Sequence, residues 1–210
     1  MSDGNLPPRR GRPRDASKDE AILVAAGELF MERGFEAASL DAVAQAAGVS
    51  KATIYSRFPD KDALFRAVLN HECNAVVMPP SFAPDPATPV RDTLIAIAEQ
   101  FVGLVLGDKA MSMHRIIVAE CARAPRVAEL FFETAVLSTK DRFAGLLRLE
   151  TERGRLAVKD PEGAAWRFLG AVKAEAHMRA SMCLPPMEPE RLRAHIEACA
   201  DEFCRAHAPD

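Results

Sequence analysis

Apolar residues recur along this chain at helical spacing. Ile22, Ala25, Ala26, Leu29 and Phe30 share one face, and Leu40, Val43, Ala44 and Ala47 fall at i, i+3, i+4 and i+7. Leu64, Phe65, Val68 and Leu69 form a third such stripe, and Leu94, Ile97, Phe101 and Val105 a fourth. No run of β-branched residues alternates with polar ones, so the pattern predicts an all-α fold. Pro79 to Pro89 holds five prolines in eleven residues and cannot be helical. This stiff loop divides residues 17–78 from a larger helical domain over 90–210.

Local signals place the helix ends. Ser17-x-x-Glu20 reads as a capping box for the first helix, which Gly34 stops. Ser39 caps the second, Gly48 turns the chain, Ser50 caps a short helix Lys51–Arg57, and Asp60 caps a helix running to Met78. Beyond the loop, Thr88 and Pro89 start a helix through Leu106. Further helices are expected over Ala110–Arg123, Arg126–Glu152, Pro161–Met182 (capped by Asp160) and Pro189–Ala206. In the last, Leu192, Ile196, Cys199 and Phe203 are spaced 4-3-4, a seam for another helix.

The helix Lys51–Arg57 carries the chemistry. Ile54 and Phe58 turn toward a core, while Ala52, Thr53 and Ser56 turn away and Tyr55 and Arg57 lie on opposite flanks. A small, hydroxyl-bearing face with long hydrogen-bonding flanks suits base edges and phosphates in a DNA major groove. Lys61, in the next first turn, is expected beside the same backbone. These residues, from the capping Ser39 through Ala46-Ala47-Gly48-Val49-Ser50 to Tyr55, Phe58 and Pro59–Leu64, resemble the DNA-binding region of TetR-family transcriptional regulators. The resemblance runs from about Asp15 to Val68. It implies DNA contacts from Ser39, Ser50, Lys51, Ala52, Thr53, Tyr55, Ser56, Arg57 and Lys61. It also implies a homodimer built on the last two helices, and a small-molecule effector bound in the second domain. Two-fold symmetry is expected independently, because a seven-residue reading helix covers too few base pairs for a specific site.

Net charge is −3, unusual for a nucleic-acid binder until its distribution is considered. Asn5 to Lys18 has five basic residues against one acidic, a local excess of +4. Residues 1–16 read as a disordered arm in which Arg9, Arg10, Arg12 and Arg14 reach a minor groove or add phosphate attraction. Five cysteines, an odd number scattered over helices, favour reduced thiols in the cytoplasm over a disulfide framework. No stretch approaches the roughly 18 apolar residues of a membrane span.

Phe101, Val105, Met111, Met113, His114, Ile117, Phe131, Trp166, Leu169, Met178 and Met182 are the expected walls of an effector pocket. Methionines adapt to varied apolar shapes, which points to a hydrophobic effector. Catalytic chemistry has no candidate: there is no phosphate loop, Gly-x-Ser-x-Gly or Cys-x-x-Cys, and His71-Glu72 lacks a second histidine at i+4. His195, Cys199, Cys204 and His207 do not share one helix face and make no tetrahedral metal site, and no cofactor is expected. Two alternatives stand beside the ligand-responsive regulator: a redox-sensing one acting through Cys73 or Cys121, and a helical interaction module without specific DNA binding.

Overall fold

The computed structural model describes residues 14–74 and 84–209, with side chains over 17–72 and 84–209. Among these residues all regular structure is helical. The expected arm residues Arg9, Arg10 and Arg12, the side chains of Arg14 and Cys73, and residues 75–83 lie outside the described residues. Two compact units divide at Phe65/Arg66.

The first unit contains α1 (Arg14–Ala37), α2 (Leu40–Ala46), α3 (Lys51–Arg57) and the start of α4 (Lys61–Asn74). α1 opens one turn before the anticipated cap, so Ser17 is inside the helix. Near its other end the backbone departs from helix at Gly34 (φ 78°), a conformation an L side chain resists. This kink turns Phe35 back into the core. There Phe30, Phe35 and Phe65 form a closed ring cluster with centroids 5.1 to 5.7 Å apart. Ile22, Ala26, Val43, Ala44, Ile54 and Leu64 complete the interior, none more than 2% exposed.

The second unit contains the rest of α4 and α5 (Val90–Leu106), α6 (Asp108–Glu120), α7 (Pro125–Phe131), α8 (Ser138–Glu152), α9 (Pro161–Ser181) and α10 (Pro189–Ala206). Thr88 is not the cap of α5: Pro89 occupies that position without a side-chain bond, and Thr93 donates its hydroxyl to the Pro89 carbonyl at 3.3 Å. α6 is shifted toward the N-terminus, because Gly107 allows a break immediately after α5 and Asp108 falls in the first turn. Pro125 opens α7 rather than only ending its predecessor, the position where a missing N–H costs nothing. The single long helix expected over 126–152 is interrupted by a π-helical turn, Phe132–Leu137.

α5, α8, α9 and α10 share the main core of this unit. Phe143 stacks on Phe168 at 5.1 Å, and Phe203 meets Phe168 edge-on at 5.2 Å. The 4-3-4 seam of α10 is therefore spent inside the chain: Ile196 and Phe203 belong to this core, with Leu192 and Cys199 packed against it. One carboxylate is buried as well. Glu150, 1% exposed, accepts from Arg155 Nε at 2.6 Å and Arg153 Nη1 at 3.1 Å. Arg155 Nη1 also donates to the carbonyls of Pro86 and Thr88, each at 2.8 Å. The proline-rich approach to α5 is thus fastened to the end of α8 by an ion cluster.

Candidate nucleic-acid interface

The α2–turn–α3 unit is built from three caps and one glycine. Ser39 Oγ accepts from the Ala42 N–H at 3.2 Å, Ser50 Oγ from Thr53 at 3.1 Å, and Asp60 Oδ1 from Ala63 at 2.7 Å. Each satisfies a backbone donor that the helix itself leaves unpaired. Gly48 turns the chain at φ +64°, and the Val49 N–H returns to the Ala44 carbonyl at 3.0 Å. α3 is then anchored on Ile54, 0% exposed, while Phe58 ends the helix half-buried.

The outward face has the anticipated composition. Ala52, Ser56 and Tyr55 are exposed, Tyr55 to 53%, and Thr53 is half-buried. The hydroxyls are not idle: Ser50 Oγ and Thr53 Oγ1 are 2.8 Å apart, and Ser56 Oγ donates to the Thr53 carbonyl at 2.9 Å. The cationic groups are more engaged than their spacing suggests. Lys51 Nζ reaches Asp41 Oδ2 on α2 at 2.5 Å, and this hydrogen bond and charge hold its pKa above the usual lysine value. Arg57 is ion-paired with Asp19 on α1. Lys61 Nζ donates to the Phe35 and Glu36 carbonyls at 2.7 and 3.0 Å and lies 4.5 Å from the Phe35 ring centre. That ammonium closes the C-terminal end of α1. Sequence reasoning missed Asp19 and Asp41, which are 38 and 10 positions from their partners; no helical periodicity connects them.

The expected effector wall divides. Phe101, Met111, Ile117 and Leu169 are buried, and Val105, Met113, His114 and Phe131 half-buried. Trp166, Met178 and Met182 are 43%, 56% and 61% exposed, so they face outward from α9 and its end and do not line an interior. Trp166 stacks with Phe132 of the π turn at 6.1 Å. A cavity of about 410 Å³ lies elsewhere, between α5 and α10, over Val102, Gly103, Leu106, Leu192 and Ile196, with Glu99, Pro189, Glu190 and Arg193 around it. On α10, His195 Nε2 bonds the Ala171 carbonyl at 2.8 Å and is 3.7 Å from Cys199 Sγ. Burial pushes the Cys199 and Cys204 thiols up, away from the reactive thiolate. Cys121 Sγ donates to the Val118 carbonyl at 3.1 Å.

Residues 22–68 match the family model described as "Bacterial regulatory proteins, tetR family", and residues 92–209 match "AefR-like transcriptional repressor, C-terminal domain". The HTH-type transcriptional activator FasR of Mycolicibacterium smegmatis is 37% identical over 122 residues, 57% of this chain and 55% of FasR, so the match spans about half of that relative. The HTH-type transcriptional repressor BepR of Brucella suis is 28% identical over 159 residues, 71% of this chain and 73% of BepR. The solved structure of the flavonoid-responsive regulator FrrA superposes with a TM-score of 0.75 at 34% identity, covering 92% of this chain and 98% of FrrA. No helix among the described residues is long and apolar enough to cross a membrane. With the helix-turn-helix geometry and both family matches, the chain belongs to the TetR family of transcriptional regulators and is not an enzyme.

Proposed function

We propose that this regulator binds a palindromic DNA operator as a homodimer, acts as a repressor, and is released by a small, largely hydrophobic effector. The observation that carries the reading is α3: an exposed small and phenolic face over a fully buried Ile54, capped at both neighbouring turns. Ala52 and Thr53 let the helix sit close to base edges, Tyr55 and Lys51 flank it, and the Ser39 and Ser50 helix ends approach phosphates. Arg57 and Lys61 contribute first by holding α3 and α4 on α1. Arg9, Arg10, Arg12 and Arg14 add a basic arm. Of the two helices expected to form the dimer, α9 is supported by the exposed row Trp166, Gly170, Ala174, Met178 and Met182, spaced every four residues. The flavonoid-responsive regulator FrrA, 34% identical, supports a small aromatic ligand for the second unit.

Selection of bound sequences from a random DNA pool tests this directly. A two-fold symmetric site, with affinity falling steeply as salt rises, is expected. Recovery of no preferred sequence would leave only a helical interaction module. Removing residues 1–14 is expected to weaken operator binding several-fold at moderate salt, read by fluorescence anisotropy.

A further inference from the structure

We infer that α6 and α9 form a subsite for a negatively charged headgroup, a carboxylate or a phenolate, between His114, Lys173 and His177. The inference rests on the reading of the second unit as an effector-binding domain and specifies the chemistry of its ligand.

The three groups converge from two helices. The His114 ring on α6 meets the His177 ring on α9 edge-on, with centroids 4.9 Å apart and planes at 72°. Lys173 lies one turn before His177 on α9, the spacing that puts side chains on the same helical face. All three are half-buried. Apolar side chains surround them in sequence: Met111 and Ile117, a turn either side of His114, are buried, as are Val172 and Ala176 on α9.

What the cluster lacks is an acceptor. Among the described residues Lys173 has neither a hydrogen bond nor an ion pair, and the histidines have only each other's rings. Glu175, the nearest carboxylate along α9, is already bound by Arg179 at 3.4 Å and by Arg191 at 3.2 and 2.6 Å. Burial first, and then the positive charges of Lys173 and Arg115, push the His114 pKa down. His177 is lowered by burial, then by Lys173 and His114, and Lys173 by burial alone. A partly desolvated ammonium such as that of Lys173 is normally paired. Here no carboxylate pairs with Lys173 among the described residues. An entering anion supplies that partner, accepting from the ammonium and from the imidazoles, while the apolar body of the ligand lies against the methionine and aliphatic side chains of α6 and α9.

The test uses the full-length protein and three small probes of similar shape: benzoate, 4-nitrophenolate and the neutral benzamide. The ring C–H signals of His114 and His177 are followed by NMR at about pH 8, each assigned from its Gln variant. Benzoate or 4-nitrophenolate should shift both signals saturably, and the stronger of the two identifies the headgroup. Benzamide should leave them in place. Lys173→Met should weaken the anion roughly tenfold or more, and Lys173→Arg should retain it, with melting curves confirming that both variants fold. Equal shifts from benzamide, no shift from either anion, or unchanged affinity in Lys173→Met would overturn the subsite. A parallel operator-release assay separates the two levels. Release by an uncharged ligand without anion binding would sink the subsite and leave the effector reading intact. Anion binding with no compound releasing DNA would do the reverse.

Discussion

Single residues set the electrostatics of both units. Glu150 is the sharpest case, because two arginines and a stretch of loop depend on one buried carboxylate. Glu150→Ala leaves two largely buried arginines without their carboxylate and is expected to cost about 3–5 kcal/mol of stability, the usual penalty for breaking a buried pair on one side; urea denaturation reads it directly. Lys61→Ala removes two charge-assisted bonds from the end of α1 and should cost about 1–3 kcal/mol, with operator affinity falling at the same time. A Lys61 that only touched phosphate would change the affinity and leave the melting curve alone. Histidines give a pH dependence of definite sign. His114 and His177 have folded pKa values below the unfolded value, so the folded state resists protonating them. Their contribution is present above the unfolded pKa, near 6.5, and is lost as pH falls through the lower folded values. Stability should therefore drop on acidification below about pH 6.5, and His114→Gln/His177→Gln should flatten that part of the pH profile in thermal melts.

At the scale of elements, the legible parts were those whose signals are local. Ser39, Gly48, Ser50 and Asp60 mark the helix-turn-helix because a cap or a left-handed turn concerns only the next few residues. Gly48 illustrates this: a Cβ there would meet nothing within 4 Å, so Gly48→Ala tests backbone strain alone. It is expected to destabilise the first unit by about 1–2 kcal/mol, measurable by thermal melting, with DNA affinity following stability. α1 starts a turn before Ser17-x-x-Glu20, a pattern that satisfies the cap rule even inside a helix. The π turn Phe132–Leu137 was not legible at all. Its sequence continues the helical periodicity, and what accompanies it is a distant residue: Arg66 donates to Glu133 Oε2 at 2.7 Å and Thr134 Oγ1 at 3.2 Å. Likewise, the cationic flanks of α3 could be read from spacing, but their partners Asp19 and Asp41 could not, since tertiary packing alone brings them together.

At the scale of the molecule, the proposed homodimer requires a surface that meets a second copy. Spacing along α10 suggested a seam there, yet Ile196, Ala200 and Phe203 are already committed to the core with α5, α8 and α9. Val24 and Val118 are exposed singly, whereas α9 and its end expose Trp166, Met178 and Met182, with Phe132 stacked on Trp166, although α9 also buries Phe168, Leu169 and Val172. A helix apolar on opposite sides has more than one partner to satisfy. The small Gly170 and Ala174 between the large side chains let a second helix approach closely. Aspartate at Met178 and Met182 would place four charges across a two-fold axis if that face is the interface. The double variant Met178→Asp/Met182→Asp should therefore sediment as a monomer under conditions where the wild type is a dimer. Its thermal stability as a protomer should change little, because neither side chain is buried within one chain. DNA binding separates the consequences further: the monomer keeps an intact α3, so it should retain weak, salt-sensitive binding and lose preference for the full palindrome over a half-site. A variant that stays dimeric would move the interface off this face of α9.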